Sequence, residues 1–332
     1  MMNRTIAAHR LTLAGSLVGV AMLAAGAANA QDAHIAFGDI ATVETLNFLI
    51  AIERAKERGI DVEVTFFASE DVAAQAVVSG EADIGVGTPY ALLQQVEAPI
   101  RLFFQMSNLR FYPVVNNEVY QGWDDLNGEE IVVHSRGSGT EAIMNLMAQV
   151  HGIEYSGISY VPGSEVRAGA LLQGTINASI VDSANWRLLD RQGEGRFTLL
   201  PVDDISATDE ALYANTDFLE ENADTVAILV EELLNTWREI SDNPAVVADL
   251  RTQYGLLGDL PSELEEELVP YFQDSVEAGM FPLNGGDADA VQDDFAFYTV
   301  AGQLEGDAAD LAVEDFWDFG PLEAALANVG TR

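Results

Sequence analysis

Cysteine is absent from this 332-residue chain, which excludes disulfides, thiolate metal sites and a lipid anchor on an N-terminal cysteine. Lysine occurs once, at Lys56, among 15 basic residues set against 54 acidic ones. The resulting formal charge of −39 excludes nonspecific binding to nucleic acid and attraction to anionic membranes. Catalytic signatures are missing too: there is no G-x-S-x-G, no H-E-x-x-H, and beyond Ala30 the histidines are only His34, His134 and His151. The acidic stretch GGDADAVQDD lacks the Gly and the terminal Glu spacing of a calcium loop and reads as a solvated helix start. No metal and no cofactor is expected.

What the chain does have begins with its first thirty residues. Arg4 and Arg10 precede an apolar run, LTLAGSLVGVAMLAAGA, and ANA at Ala28–Ala30 is a small-x-small cleavage signal. This is the pattern of a secretory signal peptide, with cleavage predicted between Ala30 and Gln31 and a periplasmic destination. No later segment is apolar enough to span a bilayer. The other acids are scattered over stretches such as SELEEELV and DFLEENADTV, the signature of a solvated surface.

From Ala33 short apolar runs alternate with amphipathic stretches, the rhythm of an α/β protein. HIAFG, DVEVTFF and ADIGVG read as strands, and TVETLNFLIAIERAKERG and DVAAQAVVSG as the helices between them. After a strand around IRLFFQM, FYPVVNNE reads as a connection leaving this unit. The pattern then restarts with GEEIVVH, GSGTEAIMNLMAQVHG, ISYVPG, SEVRAGALLQG and NASIVD. AVVSGEADIGVGTPY and ALLQGTINASIVDSANW are thus one phrase written twice, each a helix, a terminating Gly and a third strand. Two Rossmann-like lobes follow: a first from 31 to 113, a second from 114 to 205, and a mostly helical segment, 206–332, packed back on the first. Crossovers near Tyr112–Asn116 and Val202–Tyr213 would form a two-stranded hinge.

The two repeated phrases, with DLNGEEIVVHSRGSGTEAIMNLMAQVHGI and FLEENADTVAILVEELLNTWREISDNP, resemble the substrate-binding proteins of ABC importers for nitrate, taurine, alkanesulfonates and the thiamine pyrimidine precursor. That resemblance, over nearly the whole chain beyond the signal peptide, implies the type II periplasmic-binding-protein fold, no enzymatic activity and a monomer. It implies two partners, a small-molecule solute and an ABC permease. The first loop, GDIATVET, lacks the Pro-containing segment of that family, so solute identity does not carry over. Two alternatives remain open: a pyrimidine-precursor binding protein or enzyme relative, which leans on His134, and a sensor-domain or tripartite-carrier binding protein.

Ligands of open α/β sheets bind beyond the carboxyl ends of the strands. In the first lobe that rule selects Asp39, Thr42, Ser69, Thr88 and Tyr90. In the second it selects His134, Ser135, Arg136, Gly137, Ser138, Gly139, Thr140, Ser164, Asp182 and Trp186. HSRGSGTE is the leading candidate, because Gly137 and Gly139 admit close backbone approach and a helix starts just after them. The partial positive charge of that helix end favours an anion, with Arg136 as a possible charged contact. The expected solute is therefore a sulfonate or carboxylate, its acid end at Ser138–Thr140 and its body against Tyr90 and Trp186. A plain helix cap at Ser138 and a turn-capping Asp182 are the bland readings of the same residues.

Overall fold

The structure, a computed structural model, describes residues 32–96, 98–202 and 205–332. The expected signal peptide and cleavage site lie outside the described residues. Ten strands form two five-stranded sheets. The first holds β1 (Ala33–Phe37), β2 (Val62–Phe66), β3 (Ile84–Gly87), β4 (Ile100–Asn108) and β10 (Thr208–Asn215); the second holds β5 (Tyr112–Asn116), β6 (Glu130–Val133), β7 (Gly157–Tyr160), β8 (Ala178–Val181) and β9 (Phe197–Leu199). The first is ordered β2-β1-β3-β10-β4 and the second β7-β6-β8-β5-β9.

Both orders follow one plan. Three parallel strands lie side by side with the earliest in the middle, as in the registers Ile35 with Ile84 and Ile131 with Ile158. A strand arriving from the other sheet then joins antiparallel, β10 beside β3 and β5 beside β8. The repeated phrase in the sequence is the helix and third strand of each unit, and Gly80 (φ 74°) and Gly174 (φ 70°) make the left-handed turn after each helix. Tyr112–Asn116, expected as a connection, is instead β5 itself. YPVVN can leave one sheet and pair in the next because the chain has already crossed at residues 109–111. It returns between β9 and β10.

The helices are α1 (Leu46–Glu57), α2 (Glu70–Ser79), α3 (Tyr90–Gln95), α4 (Gly139–His151), α5 (Ser164–Leu172), α6 (Ser183–Gln192), α7 (Thr216–Glu221), α8 (Ala223–Asp242), α9 (Val246–Tyr254), α10 (Ser262–Glu265), α11 (Leu268–Glu277), α12 (Ala288–Val300) and α13 (Gly320–Val329). The C-terminal helices pack on the first sheet: α8 lies along α1, and α13 along α8 and β4. Trp237 of α8 is fully buried and donates its indole N–H to the Met106 carbonyl of β4 (2.6 Å). None of the described helices is long and apolar enough to cross a membrane.

Candidate functional site

The carboxyl ends of β1, β2, β6 and β7 and the start of β10 converge on one cleft between the sheets. Its walls carry Gly38, Asp39, Glu44, Glu70, Asp209 and Glu210 on one side, and His134, Ser138, Gly139, Thr140, Ser164 and Arg167 on the other, with Phe111 of the first crossing between them. The two sides touch: His134 Nε2 donates to the Gly38 carbonyl (3.1 Å), and Gln303 Nε2 donates to the Ser138 carbonyl (3.1 Å). Farther out, Arg187 and Arg191 of α6 ion-pair with Glu267 at the start of α11, and Arg187 also with Asp274.

Five carboxylates therefore face one cleft. Asp209 and Glu210 are neighbours in β10, and in a regular strand they would point to opposite faces. The register of β10 against β4 shifts between Thr208 and Glu210 and again between Glu210 and Ala211. That bulge lets both side chains line the cleft. The consequences for protonation are large. Burial, and then the Asp209 and Asp39 carboxylates, raise Glu70 to a pKa of about 8 against the pull of the Thr88 N–H. Burial followed by Asp182 and Asp39 holds Glu44 well above the usual carboxylate range. Asp209 and Glu210 are likewise raised, by burial first.

The positive groups do not balance them. Arg167, 1% exposed, spends its guanidinium on the Ile180 carbonyl (2.9 Å), the Val161 carbonyl (2.8 Å) and Ser164 Oγ (3.0 Å). His134 is 6% exposed, and burial pushes its pKa down despite Asp39 at 3.7 Å, so the ring is neutral near pH 7.

A family profile described as "NMT1/THI5 like" matches residues 46–246. The chain belongs to the NMT1/THI5-like family. No curated protein matches it. Among solved structures it is similar to a protein of Bordetella bronchiseptica RB50, with a TM-score of 0.70 and 21% identity over 90% of this chain and 97% of that one. The alkanesulfonate-binding protein SsuA from Xanthomonas axonopodis pv. citri, bound to MOPS, gives 0.64 and 14% over 88% and 99%. The periplasmic nitrate-binding protein NrtA from Synechocystis PCC 6803 gives 0.64 and 14% over 90% and 89%. The fold is thus the two-lobed α/β architecture of periplasmic binding proteins.

Against that fold, the residues expected from this NMT1/THI5-like sequence divide. Asp39, His134, Ser138, Gly139, Thr140 and Ser164 reach the cleft. Tyr90 does not: it is 0% exposed, and its hydroxyl donates to Asp294 (2.6 Å) and accepts from Trp317 Nε1 (2.8 Å), which makes it a core residue. Trp186 is half-buried against the cluster of Val114, Ala168, Leu171 and Leu189. Asp182 caps α6, accepting from the Asn185 N–H (2.8 Å) and its side-chain amide (2.8 Å). Thr42 N–H donates to Thr45 Oγ1 (3.0 Å), and Thr42 lines a separate depression with Leu257 and Leu260. The Ser69 hydroxyl bonds Asp71 at the start of α2. Thr88 and Gly137 line a second cavity, described below, and Ser135 is buried outside both.

At Ser138–Thr140, where an anion is expected, several polar groups of the loop already have partners within the protein. Glu141 Oε2 already accepts the Gly137 N–H (2.7 Å), and its other oxygen accepts from Tyr160 Oη (2.6 Å). Ser138 Oγ donates to the Ser135 carbonyl (2.8 Å) and accepts from the Glu141 N–H (3.3 Å). Arg136 is exposed and stacks over the Tyr160 ring at 5.0 Å. A Cβ on Gly139 would lie 2.3 Å from Leu109 Cδ1 and 3.1 Å from Asp209 Oδ1, so this glycine admits the chain's own crossing segment. The protein supplies its own carboxylate, Glu141, to the Gly137 N–H beside the helix end expected to bind an external one. Glu44, Glu70, Arg167, Asp209 and Glu210 were missed. Glu70 was readable as the first residue of a helix after a strand, whereas the bulge that turns both Asp209 and Glu210 inward leaves no sequence signal.

Proposed function

We propose that this protein is an exported solute-binding protein that captures one small solute between its lobes and delivers it to an ABC import permease, without catalysing a reaction. The observation that carries the reading is the cleft itself. Strand ends of both sheets face one another across it, and among the described residues only 109–111 and those between β9 and β10 link one sheet to the other. Such a pair of connections is a hinge, and a solute contacted from both sides shifts the population toward closure. The fold neighbours include proteins whose names state alkanesulfonate and nitrate binding, which supports a transport role. His134, on which the enzyme alternative leaned, has its Nε2 proton committed to the Gly38 carbonyl and its basicity lowered by burial, which favours binding over catalysis. Asp39, His134, Thr140 and Ser164 are the sequence-derived residues retained for the site, joined by Glu70 and Arg167.

Removal of the first thirty residues and a monomeric state belong to the same proposal. N-terminal sequencing of the exported protein should read from Gln31, and small-angle scattering should give a monomer's mass. A cognate solute should then lower the radius of gyration. A radius unchanged by every solute that binds would refute hinge closure.

A further inference from the structure

A second cavity adjoins the cleft. Glu70 lines both, and the second is completed by Ala74, Gly87, Leu92, Arg136 and Tyr213. Tyr213 is 1% exposed, yet its hydroxyl has no hydrogen-bond partner. The ring is held by β3, where Gly85 leaves room for it: a Cβ there would stand 2.1 Å from the ring. A buried donor without a partner costs about 1–3 kcal/mol, so a protein tolerates one chiefly where something else completes it.

Resting on the solute-binding reading, we propose that the cleft takes an organic cation, an amine or related ammonium, whose charged head sits among Asp39, Glu44, Glu70, Asp209 and Glu210 while its body extends past Glu70 to meet the Tyr213 hydroxyl. Three independent observations lead there. The β10 bulge places two consecutive carboxylates in the cleft where regular pairing would place one. Positive charge is sparse beside these acids: among the described residues Arg167 is the one cation lining the cleft, its hydrogen bonds spent on two carbonyls and Ser164, the His134 ring is neutral, and Arg136 of the second cavity stacks over Tyr160. The unpaired Tyr213 hydroxyl belongs to the second cavity, which shares Glu70 with the cleft. A metal ion fits less well, since among the described residues no three acidic or imidazole groups are placed to share one. An extended ammonium with several N–H donors can satisfy carboxylates that are too spread out for a single ion.

Calorimetry and thermal shift at pH 8 on the ligand-free protein test this, with putrescine, spermidine, agmatine and choline against nitrate, methanesulfonate, MOPS and malonate. At least one amine should raise the melting temperature with saturation and lower the radius of gyration. That binding should fall at least tenfold in Glu70→Gln/Asp209→Asn and persist in Glu263→Gln/Glu266→Gln, whose exposed acids report nonspecific attraction to a polyanion. Without ligand, Glu70→Gln should melt higher than wild type, because it removes a carboxylate repelled by its neighbours; a lower melting temperature would show that Glu70 is a structural partner and overturn the proposal. If an anion stabilises and closes the protein while no amine does, the cation is wrong and solute binding stands. If no probe of either charge moves the melting temperature or the radius, both readings fall.

Discussion

Two tyrosines in the same lobe show how differently one protein treats its buried polar groups. Tyr90 and Tyr213 are 0% and 1% exposed. The Tyr90 hydroxyl is answered twice: Asp294 accepts from it and also from the Thr208 N–H (2.6 Å), Trp317 donates to it, and beside it Tyr298 Oη donates to the Thr208 carbonyl (2.7 Å). Around Tyr213 the hydroxyl is alone, and the acid whose charge bears on it, Glu70, sits among other acids. The first region is architecture, joining α3, α12 and the C-terminal segment to β10. The second is incomplete as it stands, and incompleteness at a cleft is where an external partner belongs.

The sharpest way to break this comparison is to cut one acid from each region. Asp294→Ala strands the Tyr90 hydroxyl and the Thr208 N–H in the core and should cost about 3 kcal/mol in urea unfolding. Glu70 should behave oppositely, and pH exposes it. Its folded pKa of about 8 lies above an unfolded value near about 4.3, so the folded chain holds a proton that the unfolded chain has released between those limits. This contribution is fully present below pH ~4.3 and is lost as pH rises through about 8. Wild type should therefore lose on the order of 2 kcal/mol more than Glu70→Gln between pH 5.5 and 8.5. Equal losses would mean that Glu70 is not held protonated. A smaller effect separates the tyrosines themselves. Tyr90→Phe removes two bonds and should cost about 1.5 kcal/mol, whereas Tyr213→Phe removes none and should fall within about 0.5 kcal/mol of wild type.

The contrast also explains what could be read in advance. The lobes, their repetition and the packing of the C-terminal helices follow from apolar periodicity, which burial enforces: β1 is buried at four of its five positions, and α8 presents Leu229, Leu233 and Trp237 to the core. The strand ends that surround the cleft were therefore legible, and Asp39, His134 and Ser164 with them. Which polar side chain turns inward was not. Tyr90 and Trp186 sit at the right loops, but core packing claimed both. Asp209 and Glu210 depend on a register shift between strands about a hundred residues apart, and Arg167 on three acceptors gathered from separate elements.

The smallest predicted effect tests the HSRGSGTE loop, where an anion is expected and a helix cap is seen. Ser138 Oγ accepts from the Glu141 N–H, its backbone is extended, and α4 begins at the next residue, so it is an N-cap. Its further bonds, to the Ser135 carbonyl and to Thr140 Oγ1, close the same turn. Ser138→Ala should cost about 1 kcal/mol of stability through loss of the cap. Glycine there, a tolerated cap, should recover part of it. If the loop gripped an anion, the same change would remove a charge-assisted donor and weaken binding about tenfold or more, beyond any effect on stability. Titrating Ser138→Ala and wild type with whichever probe binds separates the two roles. Equal affinity with a lowered melting temperature makes the loop a cap whose negative partner, Glu141, is already built in.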